Sequence, residues 1–152
     1  MTERSATHGT FAIERVYDAS PSRVFKAWAD PDAKARWFVG PTDWRLLDRA
    51  IDFRVGGKER LSGRKGSGIV STFDAVYHDI VPDQRIIYSY SMHLDQKHIS
   101  VSLATVELKA EASGTRLTFT EQAIFLDGYD DAGSRGRGNT VLLEQLGKEL
   151  QR

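Results

Sequence analysis

Glu121 is the one carboxylate in an otherwise apolar row. Leu117, Phe119, Ala123 and Phe125 share its parity, and at the two-residue period of a strand all five point to one side. A carboxyl turned into a core has a raised pKa unless a partner compensates, and a value shifted towards neutrality is what a general acid or base requires. Glu121 is therefore the candidate catalytic residue. The competing reading is structural: an ion pair to Arg135, or a hydrogen bond from a Tyr hydroxyl, holds the same group without any chemistry. Tyr88 and Tyr90 supply such hydroxyls, each an apolar ring with a polar tip suited to orienting a ligand carbonyl or hydroxyl. Their own structural reading is that of core aromatics with satisfied hydroxyls.

The remaining polar groups make weaker constellations. His93 and His98 flank a turn, but two imidazoles without a third ligand are a poor metal site, so no metal is expected. His78 and Asp79 are adjacent, and neighbours on a strand face opposite ways, which places them on the surface rather than in a base–carboxylate pair. His8 lies in the N-terminal tail, and no Ser-His-Asp set can be assigned from spacing. The run from Gly56 to Gly68 fits neither the P-loop nor the dinucleotide pattern and leads into no helix, so its glycines read as bulge and turn residues and no cofactor is expected. Lys58, Arg60, Arg64 and Lys65 form a basic stretch of the kind that is usually solvated.

Composition narrows the class. The 152 residues fit one domain, with 40% hydrophobic residues to fill one core. Lys plus Arg and Asp plus Glu both number 21, so the one-sided field that nucleic acid or an anionic membrane demands is missing. With no Cys there is neither a disulfide framework nor a thiolate ligand or nucleophile. The first residues are polar rather than signal-like, and no run reaches the roughly 20 apolar residues of a membrane span. A cytoplasmic location is the expectation.

These residues must be positioned by a curved sheet and one long helix. Residues 1–9 read as a disordered tail, and Phe11 to Asp18 as the first strand. Ser20-Pro21 and Asp30-Pro31 each supply an N-cap followed by Pro at the first helical position, predicting two short helices that carry Val24, Phe25, Trp28 and then Ala33, Trp37, Phe38. The period then changes to two. Ile51, Phe53 and Val55 predict a strand bent at Gly56-Gly57, and Gly63 to Gly68 a flexible connection. Strands from Ile69 to Val81, Arg85 to His93 and His98 to Ala110 follow, with turns at Pro82-Asp83 and Asp95-Gln96. Within the third of these, the switch from Ile99, Val101 and Leu103 to Val106 and Leu108 predicts a bulge near Ala104-Thr105. After the Glu121 strand comes a helix from about Ser134 to Leu150, with Leu142, Leu143, Leu146 and Leu150 as its buried face. Stepping back along that face reaches Asn139 and Arg135, while Gly136 and Gly138 leave the same end without bulk. A cavity under its first two turns is the expectation. The class is α+β with an antiparallel sheet of six to seven strands.

The order of motifs is specific even where each alone is weak. The run from Ser20 to Trp28, then Asp30-Pro31 and Trp37-Phe38, Asp52 to Gly57, Pro82 to Tyr90, Gly114 to Glu121 and the Gly-containing entry to the last helix together resemble the START/Bet v 1-like helix-grip superfamily, in the branch named after the activator of the Hsp90 ATPase. The likeness spans about residues 10 to 150, taken as one domain from 10 to 152. It implies a cavity between helix and sheet, and members that bind lipids, sterols or polyketide-like aromatics, act as cyclases or dehydratases, or touch a chaperone. One departure is Asn139, where many members carry an aromatic residue; this implies a more open or more polar upper wall.

The expected role is binding of a small apolar or aromatic ligand, more in keeping with a non-catalytic protein than with an enzyme. Its site would be built from Phe53, Tyr88, Tyr90, Met92 and Phe119 on the sheet, Glu121 beside them, and Arg135, Asn139 and Leu143 on the helix. Trp37, with Phe38, would form a gate at the opening. The rivals are a cyclase, dehydratase or hydrolase using Glu121, and an Hsp90-type chaperone module. The latter ranks last, because family activators of that ATPase carry an additional domain. A homodimer is a further partner the reading admits.

Overall fold

The computed structural model describes residues 3–152. Seven strands form one antiparallel sheet: β1 (Ala6–Tyr17), β2 (Trp44–Ile51), β3 (Lys58–Lys65), β4 (Val70–Val81), β5 (Arg85–Leu94), β6 (Lys97–Glu111) and β7 (Gly114–Leu126), in the order β1-β7-β6-β5-β4-β3-β2. From β2 onward each strand folds back on its predecessor. The link from β1 to β2 must instead cross from one edge of the sheet to the other, and it does so through α1 (Pro21–Ala29) and α2 (Pro31–Trp37). A long α3 (Ala132–Glu149) follows β7 and closes the inner face. None of the described helices is long and apolar enough to cross a membrane.

The helix starts follow from their caps. Ser20 Oγ accepts from the Arg23 N–H and Asp30 from the Asp32 N–H, each with Pro next in sequence. Asp131 caps α3 by accepting from the Ser134 N–H, so that helix begins two residues earlier than its apolar stripe suggested. The core gathers Val24, Trp28 and Trp37 from the short helices, Tyr77, Ile86, Val106, Leu117 and Phe119 from the sheet, and Leu143 and Leu146 from α3.

Four expectations are corrected. β1 starts at Ala6, not Phe11, because residues 6–10 ladder with Leu126 to Gln122; an edge strand is held by backbone hydrogen bonds that polar side chains do not oppose. Of the expected tail, residues 1 and 2 lie outside the described residues. The alternation through Phe53 and Val55 is not strand: β2 ends at Ile51, and 52–57 turn tightly, the Gly57 N–H bonding back to the Arg54 carbonyl. A Cβ at Gly57 would stand 2.0 Å from the Asp52 carbonyl oxygen, which is why glycine is needed there. Gly63 to Lys65 belong to β3, and the turn is confined to residues 66–68. Finally, the bulge in β6 is at Ile99: Met92 pairs with Ser100 and His93 with His98, leaving Ile99 extra. Ser100, Ser102, Ala104, Val106 and Leu108 then run along the inner face, and Val101 and Leu103 point outward, 39% and 40% exposed. A second bulge, at His78, separates Tyr77 from Asp79.

Candidate functional site

Between α3 and the β3–β4–β5 part of the sheet lies a cavity of about 400 Å³. That volume falls within the roughly 300–1,000 Å³ typical of small-molecule sites. Its floor is aromatic. Phe73, Tyr88 and Tyr90 stand side by side on adjacent strands, with ring centroids of Phe73 and Tyr90 4.8 Å apart and those of Tyr88 and Tyr90 6.1 Å apart. Met92, Leu61 and Ser71 extend the floor. The far wall is the segment leaving α2, Phe38 to Pro41, together with Trp44. Above the floor α3 contributes Arg135, Gly138, Asn139, Val141, Leu142 and Gln145, so the cavity reaches about a turn further along the helix than its two glycines implied.

The polar end is a closed network. Glu121 has no exposed surface, and its Oε2 accepts from the Tyr90 hydroxyl and the Ser102 hydroxyl, both at 2.8 Å. Asn139 Nδ2 donates to Oε1 at 3.3 Å, and Arg135 Nη1 lies 3.6 Å from Oε2. Burial pushes the Glu121 carboxyl above its ordinary value, although the hydrogen bonds from Tyr90, Ser102 and Asn139 and the Arg135 charge all act the other way. Arg135 is itself engaged: Nη1 donates to the Tyr90 oxygen at 3.0 Å, Nη2 to Ser100 at 2.8 Å and to Asp130 at 3.0 Å. Burial likewise raises the hydroxyls of Tyr88 and Tyr90, which stay protonated. The two structural partners raised for Glu121, a Tyr hydroxyl and Arg135, are thus both present.

The sequence-derived site residues divide into wall and backing. Tyr88, Tyr90, Met92, Arg135 and Asn139 line the cavity, whereas Trp37, Phe53, Phe119, Glu121 and Leu143 do not. Trp37 is 1% exposed and its Nε1 donates to the Ala27 carbonyl at 2.9 Å, wedged between Trp28 and Phe38, so it is a core residue and Phe38 alone reaches the opening. Phe53 packs edge-on against Phe25 and Tyr77, and Phe119 stacks on Phe11. His93 and His98 do meet, their rings stacked 4.5 Å apart, but no group of three metal-ligating side chains occurs among the described residues. His78 Nε2 contacts Ser89 Oγ on the surface, and Arg60 is spent on Asp48 and Asp74.

One cluster was not anticipated from the sequence. Lys34, on α2, and Glu59, on β3, are 4% and 6% exposed and pair at 2.6 Å, with the Tyr77 hydroxyl donating to the same Oε1. The ammonium lies 4.7 Å from the Phe38 ring centroid and 6.0 Å from that of Tyr88, immediately behind two cavity-wall residues. Lys34 looks like a helix-surface lysine in sequence. Only the buried parity of Glu59, two residues before Leu61, was available as a signal.

Comparison with known proteins agrees with the architecture. A putative uncharacterised protein from Rhizobium leguminosarum is 48% identical over 99% of each chain, with a TM-score of 0.94. The Mll3558 protein of Rhizobium loti is 47% identical, covering 95% of this chain and 99% of its own, with a TM-score of 0.89. An AHSA1-like protein from Aeromonas hydrophila shares the fold at 20% identity, covering 94% of this chain and 92% of its own, with a TM-score of 0.68. No curated protein matches the chain in sequence. The family model for activator of Hsp90 ATPase homolog 1-like protein matches residues 18–151, nearly the whole of the fold described above, and the chain belongs to that family within the helix-grip superfamily.

Proposed function

We propose that the protein binds one small, largely apolar molecule in the cavity beneath α3 and does not transform it. The observation that carries this reading is the combination of an aromatic floor with a roof of Val141 and Leu142 and a few polar side chains, Arg135, Asn139 and Gln145, in a space of about 400 Å³. Glu121 stands behind Tyr90, off the cavity wall, with three hydrogen bonds to its oxygens, so acid–base chemistry on a ligand would have to pass through the Tyr90 hydroxyl. That arrangement favours a structural and orienting role over turnover.

The test uses N-phenyl-1-naphthylamine, an uncharged probe whose fluorescence rises in apolar surroundings. The expected result is saturable enhancement at one equivalent, strongly reduced in a Leu142→Trp variant that keeps its melting temperature. Leu142 lines the roof, and an indole there would occupy the space the probe needs. Enhancement that never saturates, or that survives the filled cavity unchanged, would sink the proposal.

A further inference from the structure

The hydrogen-bonding capacity left over at the cavity wall identifies the ligand's chemistry more narrowly; this rests on the cavity being a binding site. Asn139 Nδ2 donates to Glu121 Oε1 at 3.3 Å and to the Arg135 carbonyl at 3.1 Å. Gln145 Nε2 donates to the carbonyls of Trp37 at 2.6 Å and Val39 at 3.3 Å. A backbone carbonyl accepts and never donates, so each amide must turn its nitrogen towards these partners. Both N–H groups of both amides are then consumed. What Asn139 and Gln145 have left for the cavity is an oxygen acceptor each.

Tyr90 adds to the same pattern. Its proton goes to Glu121, and its oxygen accepts from Arg135. The Tyr88 hydroxyl, by contrast, carries no side-chain hydrogen bond although the residue is 5% exposed, so it is a group of either sense awaiting a partner. An apolar ligand with no donor would cover the two amide oxygens and strip them of water without replacing it, which is costly for any polar group.

Charge excludes the opposite class. Among the described residues Arg135 is the only charged one on the wall, and its terminal nitrogens are already divided among Tyr90, Ser100 and Asp130, with Glu121 at 3.6 Å. Two further cations near the wall are also engaged: Lys34, behind Phe38 and Tyr88, is paired with Glu59, and Arg49 donates to the Ala35 and Phe38 carbonyls. A carboxylate ligand would therefore be desolvated beside two carboxylates with no open guanidinium fork to receive it.

We infer that the cavity takes an uncharged, flat ring compound bearing a hydroxyl or N–H donor, which the free oxygens of Asn139 and Gln145 recognise while the Phe73, Tyr88 and Tyr90 rings hold its face. The experiment compares 2-naphthol, 2-methoxynaphthalene and 2-naphthoate, each by displacement of N-phenyl-1-naphthylamine and by calorimetry. The naphthol is expected to bind about tenfold more tightly than its methyl ether, which keeps the ring and loses the donor, and the naphthoate is expected to bind weakest. In Gln145→Met and in Asn139→Leu the naphthol's advantage should shrink while the ether's affinity changes little; the wild-type ranking stands on its own if either variant folds poorly. Equal binding of naphthol and ether, or tightest binding of naphthoate, overturns the donor rule while leaving the pocket in place. If neither the fluorescent probe nor any of the three binds, the binding reading itself is wrong and this inference goes with it.

Discussion

Glu121 reads in sequence as a candidate acid or base, and in space its oxygens are held by Tyr90, Ser102 and Asn139. Its apolar neighbours on β7 correctly placed it inside, but the groups that claim its oxygens come from β5, β6 and α3, and no local pattern announces them. The sign of its pH effect follows from its burial. A carboxyl whose folded value is raised above the ordinary 4.5 contributes stability that is fully present below that value and is lost as pH rises through the folded value. Glu121→Gln does not titrate. The melting temperature of the wild type minus that of the variant should therefore fall as pH is taken from about 4 to about 8, because other titrating groups cancel in the difference. A difference that stays flat or climbs would mean that Arg135 and the three hydrogen bonds outweigh desolvation.

Among the elements, the β2–β3 pair shows how glycine shapes the cavity. A Cβ at Gly63 would fall 1.9 Å from the Trp44 indole, and one at Gly40 2.3 Å from it, so the ring lies in a slot that only two glycines leave open. Trp44 is part of the cavity wall. Gly63→Ala is expected to expel the indole, lowering stability by about 1–3 kcal/mol and shifting tryptophan emission. Gly138 is the opposite case. It sits inside α3, nothing lies within 4 Å of its missing Cβ, and Gly138→Ala should raise stability by about 0.5–1 kcal/mol through helix propensity. Urea denaturation of the two variants checks both; changes of the same sign would contradict this account of the cavity wall. The sequence had placed the first of these glycines in a loop and the second at a bare helix end, and in both the missing information was which ring or empty space faced it.

Taken as a whole, the molecule is clamped through α2. Lys34 ties it to Glu59 and Tyr77 in the sheet, Arg36 forms a bidentate pair with Glu149 at the end of α3, and Arg49 donates to the Ala35 and Phe38 carbonyls that close the helix. These clamps fix the point where Phe38 enters the cavity wall. Lys34→Met should cost about 3–5 kcal/mol, because it leaves Glu59 buried without its partner, whereas Lys34→Met combined with Glu59→Leu should recover much of that loss. Chemical denaturation of the two single variants and the double variant reads the coupling; simply additive losses would show that the pair does not act as a unit. Much of this architecture was legible in the amino-acid order: the two capped helices, the period-two strands, the turns at Asp83 and Asp95, and the apolar stripe of α3. Each depends on residues within a turn or a pleat of one another, where propensity and parity operate. Tertiary structure alone decided that β6 bulges at Ile99 rather than Ala104, that Lys34 meets Glu59, that Phe119 and Leu143 fill core, and that Gln145 faces the cavity beside Tyr88 and Tyr90. Those outcomes depend on strand register and on which distant surfaces are pressed together. A one-residue slip reverses every side chain beyond it, and a filled core differs from a cavity only by the shapes that meet across it.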